Sequence, residues 1–184
     1  MVRRALLALL AGMPSVVIGL WGLVSLVPLM AAWQPPGTHL LTATLVLALM
    51  ILPTVALTSA SALRSLPADW LRGASALGLS RWGTILGVAL PGARSAIFAG
   101  LLLATARAIG ETLVVLMLAG NVVRMPTGLF EPVRTLTANI ALEMAYAMDQ
   151  HRGALFFSGL VLVALVSLLV LIAHYLQRGS HHAY

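Results

Sequence analysis

The 184 residues are 60% hydrophobic and only 9% charged, with a mean hydropathy of +1.00, a balance that excludes a soluble globular domain. Cysteine and lysine are both absent, which excludes a disulfide framework, a thiolate metal site, a P-loop lysine and Schiff-base chemistry. The net charge of +6 rests on arginines scattered between apolar runs rather than gathered on a face, so it points to a membrane surface and not to nucleic acid.

A hydrocarbon core about 30 Å thick takes about 20 apolar residues as a helix, and four runs qualify. Before them, Arg3 and Arg4 lead into an apolar piece, Ala5 to Gly12, that imitates a signal peptide. No A-x-A site follows and hydrophobicity resumes after Pro14, so the segment is expected to stay on the protein and approach the membrane from the cytoplasm. Pro14 should kink or separate it from the first span, 15–33. The second span covers 40–62 with a bend expected at Pro53, the third 92–119, and the fourth 154–176. Residues 1–184 thus read as one all-α domain, a polytopic transmembrane helical bundle.

Four spans put both termini and the middle loop on one side, which then carries Arg3, Arg4, Arg64, Arg72, Arg81, Arg94 and Arg178. The other side keeps Arg124, Arg134 and Arg152 together with Glu131, Glu143 and Asp149. The arginine excess makes the termini and the middle loop cytoplasmic. The cytoplasmic loop, 64–91, is too long for a turn. Ser65 before Pro67 predicts a short helix from Pro67 to Leu77, Gly78 the left-handed residue that ends it, and Ser80 the cap of a second short helix carrying Arg81, Trp82 and Ile85. The small residues Ala74, Ala76 and Gly78 leave room for a partner to come close, though an ordinary surface hairpin would look the same.

Inside the third span, Arg107 and Glu111 lie four residues apart in a run that is otherwise uncharged from Ala96 to Gly120. That spacing predicts one helix face with the two side chains adjacent, Gly110 and Thr112 beside them and Thr105 a turn away. A charge at bilayer depth normally faces the bundle interior or a water-filled path. A guanidinium offers an oxyanion two parallel hydrogen bonds, and a nearby carboxylate weakens the site enough for the ion to leave. A purely structural ion pair is the competing reading.

The external segment, 121–152, holds a stretch from Thr135 to Met148 that suits a short amphipathic helix. Asn121, Arg124 and Arg134 are candidates for contact with an external partner or for plain solvation. His39 and His151 show no partner at ligand spacing, His174 sits near a span end, and no metal or cofactor is expected. Ser158, Ser167 and His174 are available for an intramembrane serine protease, but no nucleophile motif surrounds either serine.

From Gly78 the chain runs through nine residues to Val88, Ala89, Leu90 and Pro91. This resembles the EAA loop of ABC importer permeases, E-A-A-x3-G-x9-I-x-L-P, which docks into a groove on the ATPase subunit. Met13–Gly22 (MPSVVIGLWG), Ala48–Thr54 (ALMILPT), Ala106–Thr112 (ARAIGET) and Leu129–Glu143 (LFEPVRTLTANIALE) are likewise similar to phosphate-specific importers, in their PstC-type permease. The resemblance spans nearly the whole chain. It implies a MetI-like type-1 ABC transmembrane domain that forms the phosphate path, with Arg107, Glu111 and Thr112 on that path. It also implies Arg72, Gly73, Ala74, Gly78, Leu90 and Pro91 as the coupling contact. The implied partners are a homologous permease subunit, an ATP-binding subunit dimer that carries the hydrolysis, and an external phosphate-binding protein. Sulfate or molybdate would be alternative cargoes.

Two departures stand out. Arg72-Gly73-Ala74 falls where the family shows Glu-Ala-Ala, or Gly73 stands for the acid with one residue deleted; the acid is missing either way. These permeases also usually carry about two further spans upstream, so the chain is expected to be a C-terminal portion or a shortened form, with a role confined to assembly as a further alternative.

Overall fold

The computed structural model describes residues 12–179. Apart from Gly12, the apolar piece before Pro14 lies outside them, as do His181 and His182 of the tail. Among the described residues there is no strand, only an isolated bridge between Gly120 and Val133. In chain order the helices are α1 (Ser15–Ala31), α2 (Leu40–Arg64), α3 (Ala68–Ala76), α4 (Arg81–Ile109), α5 (Leu113–Leu118), α6 (Leu136–Glu143) and α7 (Asp149–Gly179). The all-α membrane bundle expected from composition is the fold found. α2, α4 and α7 are long and apolar enough to cross a membrane, whereas α1 is apolar but shorter.

Prolines shape these helices in two ways. α1 and α4 each contain a π-helical turn, Gly22–Leu26 and Ile85–Ala89, and in each the proline (Pro28, Pro91) lies two residues beyond it. Proline cannot donate to the helical ladder, and a wider turn before it, closed by Val27 N–H on the Gly22 carbonyl and Leu90 N–H on the Ile85 carbonyl, keeps the helix going. The expected second short helix after Ser80 is therefore the first turn of α4 itself. Pro53 is buried inside α2, and the helix runs through it unbroken.

The core is built around α5. Val114, Val115 and Leu118 are each at most 3% exposed and pack with Ala43, Val46 and Met50 of α2 and with Ala138 of α6. α1 lies so close that a Cβ on Gly22 would sit 2.9 Å from Leu118 Cδ1 and 3.1 Å from Val46 Cγ2. Small residues let membrane helices approach in this way, and the gain is dispersion contact rather than exclusion of water. α4 packs on both α2 and α7, with Gly100 against Thr58.

The segment after α5 folds back over the start of α2. Leu40 and Leu41 N–H groups donate to the carbonyls of Glu131 and Leu129, both at 2.9 Å. His39, fully buried, caps α2 by accepting from Thr42 N–H at 3.3 Å and meets Phe130 edge-on at 5.3 Å. Gly120 turns the chain at φ +83, where a Cβ would fall 2.6 Å from Pro132.

Candidate functional site

The third apolar run is not one helix. α4 ends at Ile109 with Gly110 as its cap, and α5 begins at Leu113. The Glu111 carboxylate explains the restart. Its Oε1 accepts the backbone N–H groups of Thr112, Leu113 and Val114 at 3.2, 3.1 and 3.4 Å, the orphan donors that any helix N-terminus leaves. A carboxylate also suits the positive end of the helix dipole.

This corrects the expectation that Arg107 and Glu111 lie adjacent on one face. The four-residue spacing holds only while the helix lasts, and it ends between them. Arg107 is exposed on α4 and has no ion-pair or hydrogen-bond partner among the described residues. The acid has turned to backbone donors, and the cation is left over. The Thr112 hydroxyl donates to the Gly110 carbonyl at 3.4 Å.

A third participant was not legible from spacing. The hydroxyl of Thr137, at the start of α6, donates to the Glu111 carbonyl at 2.9 Å across 26 residues of chain. Thr135 caps α6 by accepting from Ala138 N–H at 3.2 Å and touches the Thr137 hydroxyl at 3.0 Å. Together with Glu111 they line a cavity of about 280 Å3 whose other walls include Leu47, Ile109, Val115 and Leu165. Leu47 is seven residues into α2, so the break lies roughly 10 Å inside the end of a membrane-spanning helix. The sequence did offer one clue: the stretch from Thr135 to Met148 suits a short helix, of which Leu136–Glu143 forms.

The presumed coupling segment is arranged differently. α3 spans Ala68–Ala76, and Gly78 follows at φ +74. Leu79 N–H closes the turn on the Ala74 carbonyl at 3.1 Å, and Ser80 Oγ accepts from Gly83 N–H at 3.1 Å. Gly73 and Gly78 face open space, Leu77 and Trp82 are 82% and 73% exposed, and Arg72 pairs with Asp69 at 2.8 Å on the surface. Ala74 is buried, whereas Leu90 and Pro91 are exposed. Trp70, which the sequence reading passed over, wedges against α4: a Cβ on Gly92 would lie 2.8 Å from its ring.

The three polar residues offered as an external contact are largely occupied within the chain. Arg134 donates to the Asn121 carbonyl at 2.9 Å and to Asn139 Oδ1 at 3.1 Å, and pairs with Glu143. Glu143 in turn meets His151 Nε2 at 2.7 Å, giving that histidine the carboxylate neighbour its sequence position hid. Arg124 pairs with Glu131 at 2.9 Å. The backbone N–H of Thr127, then its hydroxyl, then Arg124 hold the Glu131 carboxyl down at about 2. A serine protease finds no support: Ser158 donates to the Ala154 carbonyl at 2.9 Å, and seven residues of α7 separate Ser167 from His174 by roughly 10 Å.

The family model described as the binding-protein-dependent transport system inner membrane component matches residues 1–181. The chain belongs to this family. Its long apolar helices fit such a multi-pass inner-membrane component, whose related ABC permease subunits are not themselves enzymes. A Bacillus subtilis protein named "Probable ABC transporter permease protein YqgH" is 40% identical over 180 residues, 96% of this chain and 58% of the relative. The "Phosphate transport system permease protein PstC" of Xylella fastidiosa strain Temecula1 is 33% identical over 90% of this chain and 57% of its own length. The protein of that name from Mesorhizobium japonicum is 33% identical over 91% of this chain and 58% of its own. The chain thus spans under two thirds of the length of these relatives. No solved structure matches it.

Proposed function

We propose that this chain forms the translocation path of an ATP-driven importer of inorganic phosphate. It works beside a homologous permease subunit, with hydrolysis on a separate ATP-binding dimer and delivery by an external phosphate-binding protein. The observation that carries the reading is Arg107: a guanidinium on a helix long and apolar enough to span a membrane, exposed and unpartnered among the described residues. A charge facing hydrocarbon there costs about 3 kcal/mol or more, so its surroundings in the membrane are polar. A water-filled seam shared with a second permease meets that need, and an oxyanion is the cargo such a cation attracts. Relatives bearing a phosphate-transport name supply the cargo.

Arg107, Glu111 and Thr112 are the path residues in this reading. Arg72, Gly73, Ala74, Gly78, Leu90 and Pro91 meet the ATP-binding dimer on the cytoplasmic side, where both termini also lie. Trp70, against Gly92, carries the motion of α3 into α4. The decisive experiment is Arg107→Gln in the complete transporter reconstituted in liposomes. Phosphate uptake should disappear while all subunits still co-purify; uptake at the unmodified rate would sink the assignment.

A further inference from the structure

We infer that His39 is an acid-sensitive latch: while its ring is neutral it holds the segment 128–133 over the start of α2, and on taking up a proton it lets that segment go. This holds whatever the chain carries. The first turn of a helix leaves backbone N–H groups without intrahelical partners, and in α2 three of them are satisfied at one place. Leu40 and Leu41 donate to the carbonyls of Glu131 and Leu129, both at 2.9 Å, while Thr42 donates to Nδ1 of His39 at 3.3 Å. The covering segment and the histidine thus close the same helix end, and Phe130 meets the imidazole edge-on at 5.3 Å. The Thr42 hydroxyl gives its proton to the Gly37 carbonyl at 2.6 Å, so Nδ1, 3.0 Å from that oxygen, keeps its lone pair for the Thr42 N–H. Nδ1 can accept only while the ring is neutral. The ring proton then sits on Nε2, which is buried and has no partner among the described residues.

A second proton changes three things at once. Nδ1 becomes a donor, so the Thr42 N–H loses its acceptor, and the bond gained runs only to the neutral Thr42 oxygen. A full positive charge appears on a side chain that is 0% exposed. It also appears at the N-terminus of a 25-residue helix, the positive end of the helix dipole. The surroundings bring no free counter-charge. Among the described residues, α1, α5 and the part of α2 before Arg64 carry no ionisable side chain. The segment after α5 brings Arg124, Glu131 and Arg134, each already paired: Glu131 with Arg124 at 2.9 Å and with Thr127, and Arg134 with Glu143 of α6. Burial pushes the imidazole's pKa below the ordinary histidine value. The unfolded chain therefore binds more protons than the folded one, so the latch is at full strength above about pH 6.5 and weakens as pH falls below it. Glu131, held at about 2, stays ionised across that range. The latched segment leads through Val133, whose N–H donates to the Ala119 carbonyl at 2.8 Å, into α6 and the Thr137 bond on Glu111. Release therefore slackens the hold that α6 keeps on the helix break.

The test combines hydrogen–deuterium exchange and thermal unfolding of the detergent-purified full chain at about pH 7.5 and about pH 5, the range in which histidine changes charge. Each exchange rate is referred to the intrinsic amide rate at its own pH. In the unmodified chain, peptides covering 38–44 and 128–134 should lose protection in acid while those of α7 keep theirs. Its melting temperature should fall by about 3 °C or more between the two conditions. His39→Asn keeps a capping oxygen that does not titrate in this range. At the higher pH the variant should be no more stable than the unmodified chain, whereas its fall in acid should shrink to less than about half and the acid-induced loss of protection should vanish. Every other histidine is common to both chains, so the difference isolates His39. An equal fall in both chains, or unchanged protection of 38–44 and 128–134 in the unmodified one, overturns the inference. The exchange pattern of the unmodified chain decides even if the variant does not fold.

Discussion

Two of the breaks between helices each carry a glycine, and the two are built on opposite plans. The turn between α3 and α4 is closed by groups within a few residues of it: Leu79 N–H on the Ala74 carbonyl and Ser80 on Gly83. Nothing from elsewhere in the chain presses on Gly78, where an added Cβ would meet open space. The break between α4 and α5 is held from a distance, by Thr137 on the Glu111 carbonyl and by α5 sunk among α1, α2 and α6. An element finished locally and left bare can receive a partner without disturbing the fold. An element fixed by remote contacts can hold charged groups in one geometry and is costly to move.

Substitutions can sharpen or break that contrast. The largest effect is expected at Leu118, which is 0% exposed: Leu118→Ala should lower the stability of the detergent-purified chain by about 3 kcal/mol. Leu77→Ala, at a residue 82% exposed beside the other break, should stay within about 0.5 kcal/mol. Equal effects in a denaturant titration would end the distinction. Next comes Thr137→Val, which strips the hydroxyl from the partly buried Glu111 carbonyl and should cost about 1 kcal/mol. Phosphate uptake by the reconstituted complex should slow as well; unchanged uptake would mean that α6 does not position the break.

The two glycines themselves are expected to respond with opposite sign, and here sequence intuition points the wrong way. Gly78 sits at φ +74, so Gly78→Ala should destabilise by about 1 kcal/mol from backbone strain alone. Gly110 has φ −80, and its added Cβ would come no closer than 3.7 Å to the carbonyls of Ala106 and Arg107. Gly110→Ala should therefore be neutral or stabilise by about 0.5 kcal/mol, read as a small shift in melting temperature. A larger loss at Gly110 than at Gly78 would reverse the comparison.

These contrasts mark how far the residues could be read unaided. Gly78 was legible as a turn because its left-handed conformation is a local demand that glycine meets best. The cap at Ser80 was legible for the same kind of reason. The break at Gly110 was hidden, since glycine there adopts ordinary helical angles and Arg107 and Glu111 keep a helical spacing on paper. The pairing of Arg134 with Glu143 was hidden too, because Arg134 precedes α6 and no helical periodicity relates them. The path of α4 through Pro91 depended on a π-helical turn that spacing rules do not anticipate.

Composition and the order of apolar runs determined by themselves that this is a helical membrane protein and that a guanidinium lies within a long apolar run. Transfer into hydrocarbon is summed residue by residue and needs no knowledge of the fold. Only the tertiary structure decided where the Glu111 carboxylate goes. Its choice lies between a guanidinium and three backbone N–H groups, and packing α5 into the core brings those donors to it and leaves Arg107 without a partner among the described residues.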